Sequence, residues 1–135
     1  MAKIVVIDGQ GGGFGRALIE KLRAGGYAGE ILAVGTNAAA TSAMMKAGAT
    51  AGATGENAVI VNARRADVIA GPMGIVMANS MMGECSPAMA LAVADSSARK
   101  VLIPVSKCGV QIGGLPELPL AEYIADAARR ILSLG

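Results

Sequence analysis

The sequence predicts a doubly wound α/β fold: one parallel sheet of about five strands in the order 3-2-1-4-5, with helices on both faces. Three observations predict it. Short aliphatic runs without polar alternation recur at 4–7, 30–34, 67–71 and 100–105, as in strands covered on both faces. Stretches with helical spacing of apolar residues separate those runs. The first turn, Asp8-Gly9-Gln10-Gly11-Gly12-Gly13-Phe14-Gly15, is glycine-rich and stands between a strand and a helix, the order of a phosphate-holding β-turn-α unit.

Taken in order, Ile4-Val5-Val6-Ile7 forms the first strand and 13–24 the first helix. Leu18, Ile19 and Leu22 face inward on that helix, and Gly25-Gly26 stops it. The second strand, 30–34, ends at Gly35-Thr36-Asn37, and a short helix at 38–47 closes at Gly48. A short third strand is expected at 49–53, with Thr54 capping a helix over 55–65. The fourth strand, 67–71, turns at Pro72-Met73-Gly74 into an apolar helix at 74–82 that breaks near Gly83. Ser86-Pro87 starts another helix, to about residue 98. The fifth strand is 100–105, and 108–112 is expected to add a short strand. Leu120, Tyr123, Ile124, Ala127, Ala128 and Ile131 describe a final amphipathic helix. No linker, repeat or low-complexity segment interrupts the 135 residues, which read as one domain.

The glycine spacing is not G-x-G-x-x-G, because Phe14 stands where the third glycine belongs. Gly9-x-x-x-Gly13-x-Gly15 fits instead, and Gly9-x-Gly11-x-x-x-Gly15 fits equally; the first is similar to the glycine pattern of short-chain dehydrogenases, with Asp8 in place of their leading Thr. On this reading Gly9 makes the turn, Gly11 to Gly13 expose amides, and Gly15 lets helix and strand pack closely. The Tyr-x-x-x-Lys pair of those enzymes is absent: Ala127 follows Tyr123 at that spacing, and Ile31 follows Tyr27. Their chemistry therefore does not carry over.

Composition narrows the function classes. Hydrophobic residues make up 53% of the chain and aromatics 2%, with a mean hydropathy of +0.53. That apolar excess over one small core predicts a homodimer or higher homo-oligomer. A net charge of +2 with dispersed basic residues and few aromatics argues against nucleic acid. With no histidine, and with Cys85 and Cys108 far apart, no metal site is expected. The chain opens on a strand rather than a signal peptide, so a cytoplasmic location is expected. Residues 68–94 carry only one charge, Glu84, but Pro72, Pro87 and several glycines interrupt them, which argues against a membrane span.

In such sheets ligands bind beyond the carboxyl ends of the strands, where strand order reverses. The expected cofactor-binding residues are Asp8, Gly9, Gln10, Gly11, Gly12, Gly13, Phe14 and Gly15, then Gly35, Thr36, Asn37 and Thr54, then Gly71, Pro72, Met73 and Gly74. No carboxylate stands near the end of the second strand to hold the ribose of NAD. NADP is therefore favoured, with Arg16 or Lys46 near its extra phosphate; another nucleotide or a phosphorylated metabolite is the alternative. Catalytic candidates are thin. Glu84 adjoins a helix start, and Lys107 follows the fifth strand. Asp8 is expected to order the glycine loop. Met73, Met77, Met81 and Met82 make the 74–82 segment apolar on nearly every side, predicting a subunit interface there.

The blocks Ile7-Asp8-Gly9-Gln10-Gly11-Gly12-Gly13, Gly35-Thr36-Asn37-Ala38, Thr54-Gly55-Glu56-Asn57-Ala58, Gly71-Pro72-Met73-Gly74-Ile75 and Ala78-Asn79-Ser80-Met81-Met82-Gly83-Glu84 resemble a small bacterial family of uncharacterised proteins. The resemblance spans nearly the whole chain and implies a single Rossmann-like domain; it supplies no substrate. The residues themselves point to a nucleotide-binding or sensing module. The alternatives are a small enzyme, a reductase or one acting on phosphate esters, and a structural oligomer that no longer binds ligand.

Overall fold

The computed structural model describes residues 2–104 and 109–134. Strands β1 (Ile4–Asp8), β2 (Ile31–Gly35), β3 (Ala51–Thr54), β4 (Val68–Pro72) and β5 (Arg99–Ile103) alternate with helices α1 (Gly13–Ala24), α2 (Ala38–Lys46), α3 (Glu56–Arg65), α4 (Pro87–Asp95) and α5 (Leu120–Ser133). The sheet has the order β3-β2-β1-β4-β5, and every pairing is parallel. Residues of β1, β2 and β4 are buried throughout, which is why those strands lack alternation.

Successive residues of each strand enter opposite layers. Ile4, Val6, Ile31, Ala33, Val68 and Ala70 pack with Leu18, Ile19 and Leu22 of α1, Met44 of α2, and Ile124 and Ile131 of α5. Val5, Ile7, Leu32, Val34 and Ile69 pack with Val59 and Ala63 of α3 and Met89 and Val93 of α4. β1 thus carries a layer on each face, and its carboxyl end opens at the reversal of strand order between β2 and β4.

Several expected boundaries move. β3 lies two residues later than 49–53 at its start, and Thr54 ends it instead of capping α3. The Thr54 hydroxyl pairs with that of Thr41 at 2.7 Å, while Gly55, at φ 106°, is the residue before α3 and contributes no side-chain cap. α4 stops at Asp95, because Ser96 leaves the helix: its hydroxyl donates to Ala63 O at 2.6 Å and accepts from Ala98 N at 3.1 Å. No strand forms at residues 109–112, and Cys108 lies outside the described residues.

The largest correction concerns 74–82, which is not an α-helix. A 3-10 turn, Met73–Val76, is followed by a chain of turns in which Asn79 (φ 66°), Met81 (56°), Met82 (57°) and Gly83 (89°) are left-handed. Local bonds replace the helical ladder. Asn79 N donates to Cys85 O at 2.8 Å and Cys85 N to Ser80 O at 3.2 Å, and the Ser80 hydroxyl donates to Gly74 O. Gly74, Asn79 and Gly83 suit such turns, and buried Ile75 and Cys85 pin both ends of the segment in the core beneath α3 and α4. Of its methionines only Met82 is exposed, at 96%. The premise of an all-round apolar helix awaiting a subunit is thereby removed. Among the described residues no helix is long and apolar enough to cross a membrane.

Candidate functional site

Beyond the ends of β1 and β4 lies a cavity of about 630 Å³. Asp8, Gly9, Gln10, Gly11, Gly13 and Phe14 form one wall, and Pro72, Met73 and Gly74 the floor. These are the expected residues that the structure brings together. Met77, Ser80, Met81 and Met82 also line it, together with Ala17, Leu120 and Ile124. Sequence reading missed all seven. The helical spacing of 120 and 124 was legible as core, and the methionines as an interface; nothing local marked either as cavity wall.

The glycine loop divides by what each missing Cβ would meet. At Gly9 a Cβ would lie 2.6 Å from Thr36 Oγ1, 2.8 Å from Met81 Sδ and 3.0 Å from Glu84 Oε1. Gly12 is left-handed (φ 74°) and a Cβ there would meet Ala40 O at 2.8 Å. Gly15 packs against Met44 and Asp8. These three glycines serve the fold. Gly11 and Gly13 meet nothing within 4 Å and do not have positive φ. Their backbone N–H groups make no hydrogen bond among the described residues. The chain's own packing gives no reason for glycine at either position, and both border the cavity.

Asp8 explains the shape of the loop. It is 1% exposed; Oδ1 accepts from Gly9 N at 2.8 Å and Oδ2 from Gly15 N at 2.7 Å. The carboxyl thus ties both ends of the turn together and occupies one of the orphan amides of the first turn of α1. Burial pushes its pKa up, against the lowering pull of the Gly15, Gly9 and Phe14 amides, and the charge of Glu84 adds to the rise.

Glu84 stands away from the cavity wall, on the β2 side of the loop. Its Oε1 accepts from Gln10 N at 2.7 Å, Thr36 Oγ1 at 2.7 Å and Asn37 Nδ2 at 2.8 Å. Asn37 Nδ2 also reaches Gln10 O at 3.0 Å, while Asn37 Oδ1 caps α2 through Ala40 N at 2.8 Å. The Gln10 amide, followed by the Thr36 hydroxyl and Asn37, holds the Glu84 carboxyl below its ordinary range. The expectation that no carboxylate stands at the end of β2 is therefore corrected. One is supplied from 48 residues away, beyond the reach of any local spacing rule.

The remaining expected residues are placed elsewhere. Thr36 and Asn37 take part in the Glu84 cluster rather than in the cavity wall. Gly35 is closely packed against Thr41 and Asn37, Gly71 against Ile7, and Thr54 sits at the edge strand. Arg16 is exposed and paired with Glu20 at 3.5 Å. Lys107 lies outside the described residues. Cys85 is buried, which raises its pKa and quiets the thiol.

No curated protein matches the chain. A solved structure is similar in fold: the crystal structure of a dodecameric FMN-dependent UbiX-like decarboxylase from Escherichia coli O157:H7. It shares 19% identity at a TM-score of 0.52, over 99% of this chain and 94% of that one. A family model matches residues 3–134, nearly the whole chain, and the protein belongs to that family, described as "Domain of unknown function (DUF3842)".

Proposed function

We propose that the chain is a nucleotide-binding module that takes a cofactor of the flavin class in the cavity at the β1 and β4 ends. The observation that carries this reading is the pair Gly11 and Gly13: two glycines that the fold does not need, with unpartnered amides, facing an open cavity. Such amides at the start of a helix suit a phosphate. Phe14 and the methionines of the lining suit a flat, polarizable ring, since thioethers pack well against aromatic systems. The volume lies within the range of small-molecule sites. The FMN-dependent protein of similar fold adds to the case.

The residues present fit such a group on one condition. Among the described residues no cationic side chain lines the cavity, and of these residues the backbone amides and the α1 dipole would hold the phosphate. Asp8 does not oppose it strongly, because both its oxygens are turned into the loop. When bound, a flavin supplies hydride and single-electron chemistry at its ring. Among the described residues the cavity offers no nucleophile paired with a base, so this chain's part is binding and orientation. NADP stands second. Its preference rested on a β2 end free of carboxylate, and Glu84 occupies that place.

The test is a titration of purified protein with FMN, followed by flavin fluorescence and absorbance. Saturable binding at one flavin per chain in the micromolar range or tighter is expected. No saturation at millimolar flavin would reject the reading.

We propose also that the protein is a homo-oligomer, through a face different from 74–82. Residues 111–122 are exposed without a break, and Ile112, Leu115, Leu118 and Leu120 are among the exposed large hydrophobics. The similar structure is a dodecamer. Leu115→Glu combined with Leu118→Glu is expected to reduce the mass measured by light scattering. A monomeric unmodified protein at micromolar concentration would refute this.

A further inference from the structure

The two sides of the glycine loop are built differently. On the β4 side Gly11 and Gly13 face open space. Toward β2, Thr36 and Glu84, with Met81 of the cavity wall, crowd against Gly9, so that even a methyl group has no room there. A dinucleotide on a sheet of this kind straddles the switch point, with the ribose of one half held by a carboxylate at the end of the second strand. Here Glu84 reaches that place from the segment before α4. It spends one oxygen on three donors, all belonging to the β1–α1 and β2–α2 turns. Asn37 adds a direct bond between the same turns.

We infer that Glu84 is a specificity-determining residue that latches the seam between the ends of β1 and β2 and limits the ligand to a single nucleotide. The inference rests on the flavin reading above and deepens it. A ligand confined to the β4 side leaves the latch intact. A dinucleotide must place its second half over the seam, where the carboxylate that would hold its ribose is committed through Oε1 to the Gln10, Thr36 and Asn37 donors. To bind, it has to displace Glu84 from the Gln10, Thr36 and Asn37 donors, and its phosphates then approach a negative charge. The cost of displacing the latch does not fall on FMN.

The experiment compares FMN with FAD on the whole chain, unmodified and as Glu84→Ala and Glu84→Gln, by flavin fluorescence titration. The unmodified protein is expected to prefer FMN at least 100-fold. Glu84→Ala, which removes latch and charge, should bring the preference below tenfold, chiefly through tighter FAD binding. Glu84→Gln keeps an acceptor oxygen without the charge and should fall between. It also serves if the alanine variant does not fold. Equal affinity of the unmodified protein for FMN and FAD would overturn the inference while leaving the flavin reading in place. An unchanged FMN:FAD ratio in the folded variants would overturn it as well. Failure of the unmodified protein to bind either flavin would overturn the flavin reading, and this inference with it.

Discussion

Gly13→Val is expected to abolish flavin binding, weakening affinity by at least about 100-fold, while leaving the fold intact. Gly13 is the first residue of α1, and a Cβ placed there meets no protein atom within 4 Å. Valine has a higher helix propensity than the glycine it replaces, and its Cβ displaces no neighbour. What it does occupy is the space in front of the free Gly11 and Gly13 amides, where a phosphate would sit. A thermal midpoint within about 2 °C of the unmodified protein, together with lost FMN titration, is the expected pair of results. Unchanged FMN affinity in the folded variant would place the ligand elsewhere. Gly9→Val is the informative contrast. Thr36, Met81 and Glu84 already crowd that position, so it should destabilise the protein by about 1–3 kcal/mol through overpacking.

Asp8→Ala is expected to cost about 2–6 kcal/mol of stability, the largest effect of any single substitution in the loop. It leaves the buried Gly9 and Gly15 amides unpaired, and each such donor costs about 1–3 kcal/mol. Asp8→Asn keeps one acceptor oxygen but turns an N–H group toward the other amide, and should lose less. The two variants also separate the charge from the bond. Asp8 has a raised pKa in the folded protein and an ordinary one, near 3.8, when unfolded. Between those values the native state holds a proton that the unfolded chain has released, so the contribution of Asp8 falls as pH rises through that window. The stability gap between the unmodified protein and Asp8→Asn should therefore narrow as pH increases from below 3.8. Glu84 has the opposite sign, since its lowered pKa makes its contribution disappear as pH falls. Urea unfolding of both proteins across the acid range measures the gap. A gap that widens with rising pH would show that Asp8 is held as a favoured carboxylate instead.

Sequence by itself determined the strand order, the covered strands and the presence of a glycine turn between β1 and α1. Each of these is local chemistry. A buried parallel strand must be apolar on both faces, as Ile4 to Ile7 are. Glycines in a strand-to-helix turn leave amides unshielded, as at Gly11 and Gly13. Tertiary structure alone decided which of those glycines border the open cavity with no neighbour in the way and which pack against protein. Gly9 and Gly12 look the same as Gly11 and Gly13 in the sequence, yet Thr36 and Ala40 stand against the first pair. It also decided the path of 74–82. Apolar content there suggested a helix because hydrophobicity reports burial without direction, whereas local bonds through Ser80 and Cys85 set the turns. Finally, it brought Glu84 to the end of β2. That contact joins residues far apart in the chain, and only the folding of the 77–86 segment over β1 puts its carboxylate within hydrogen-bonding distance of Thr36 and Asn37.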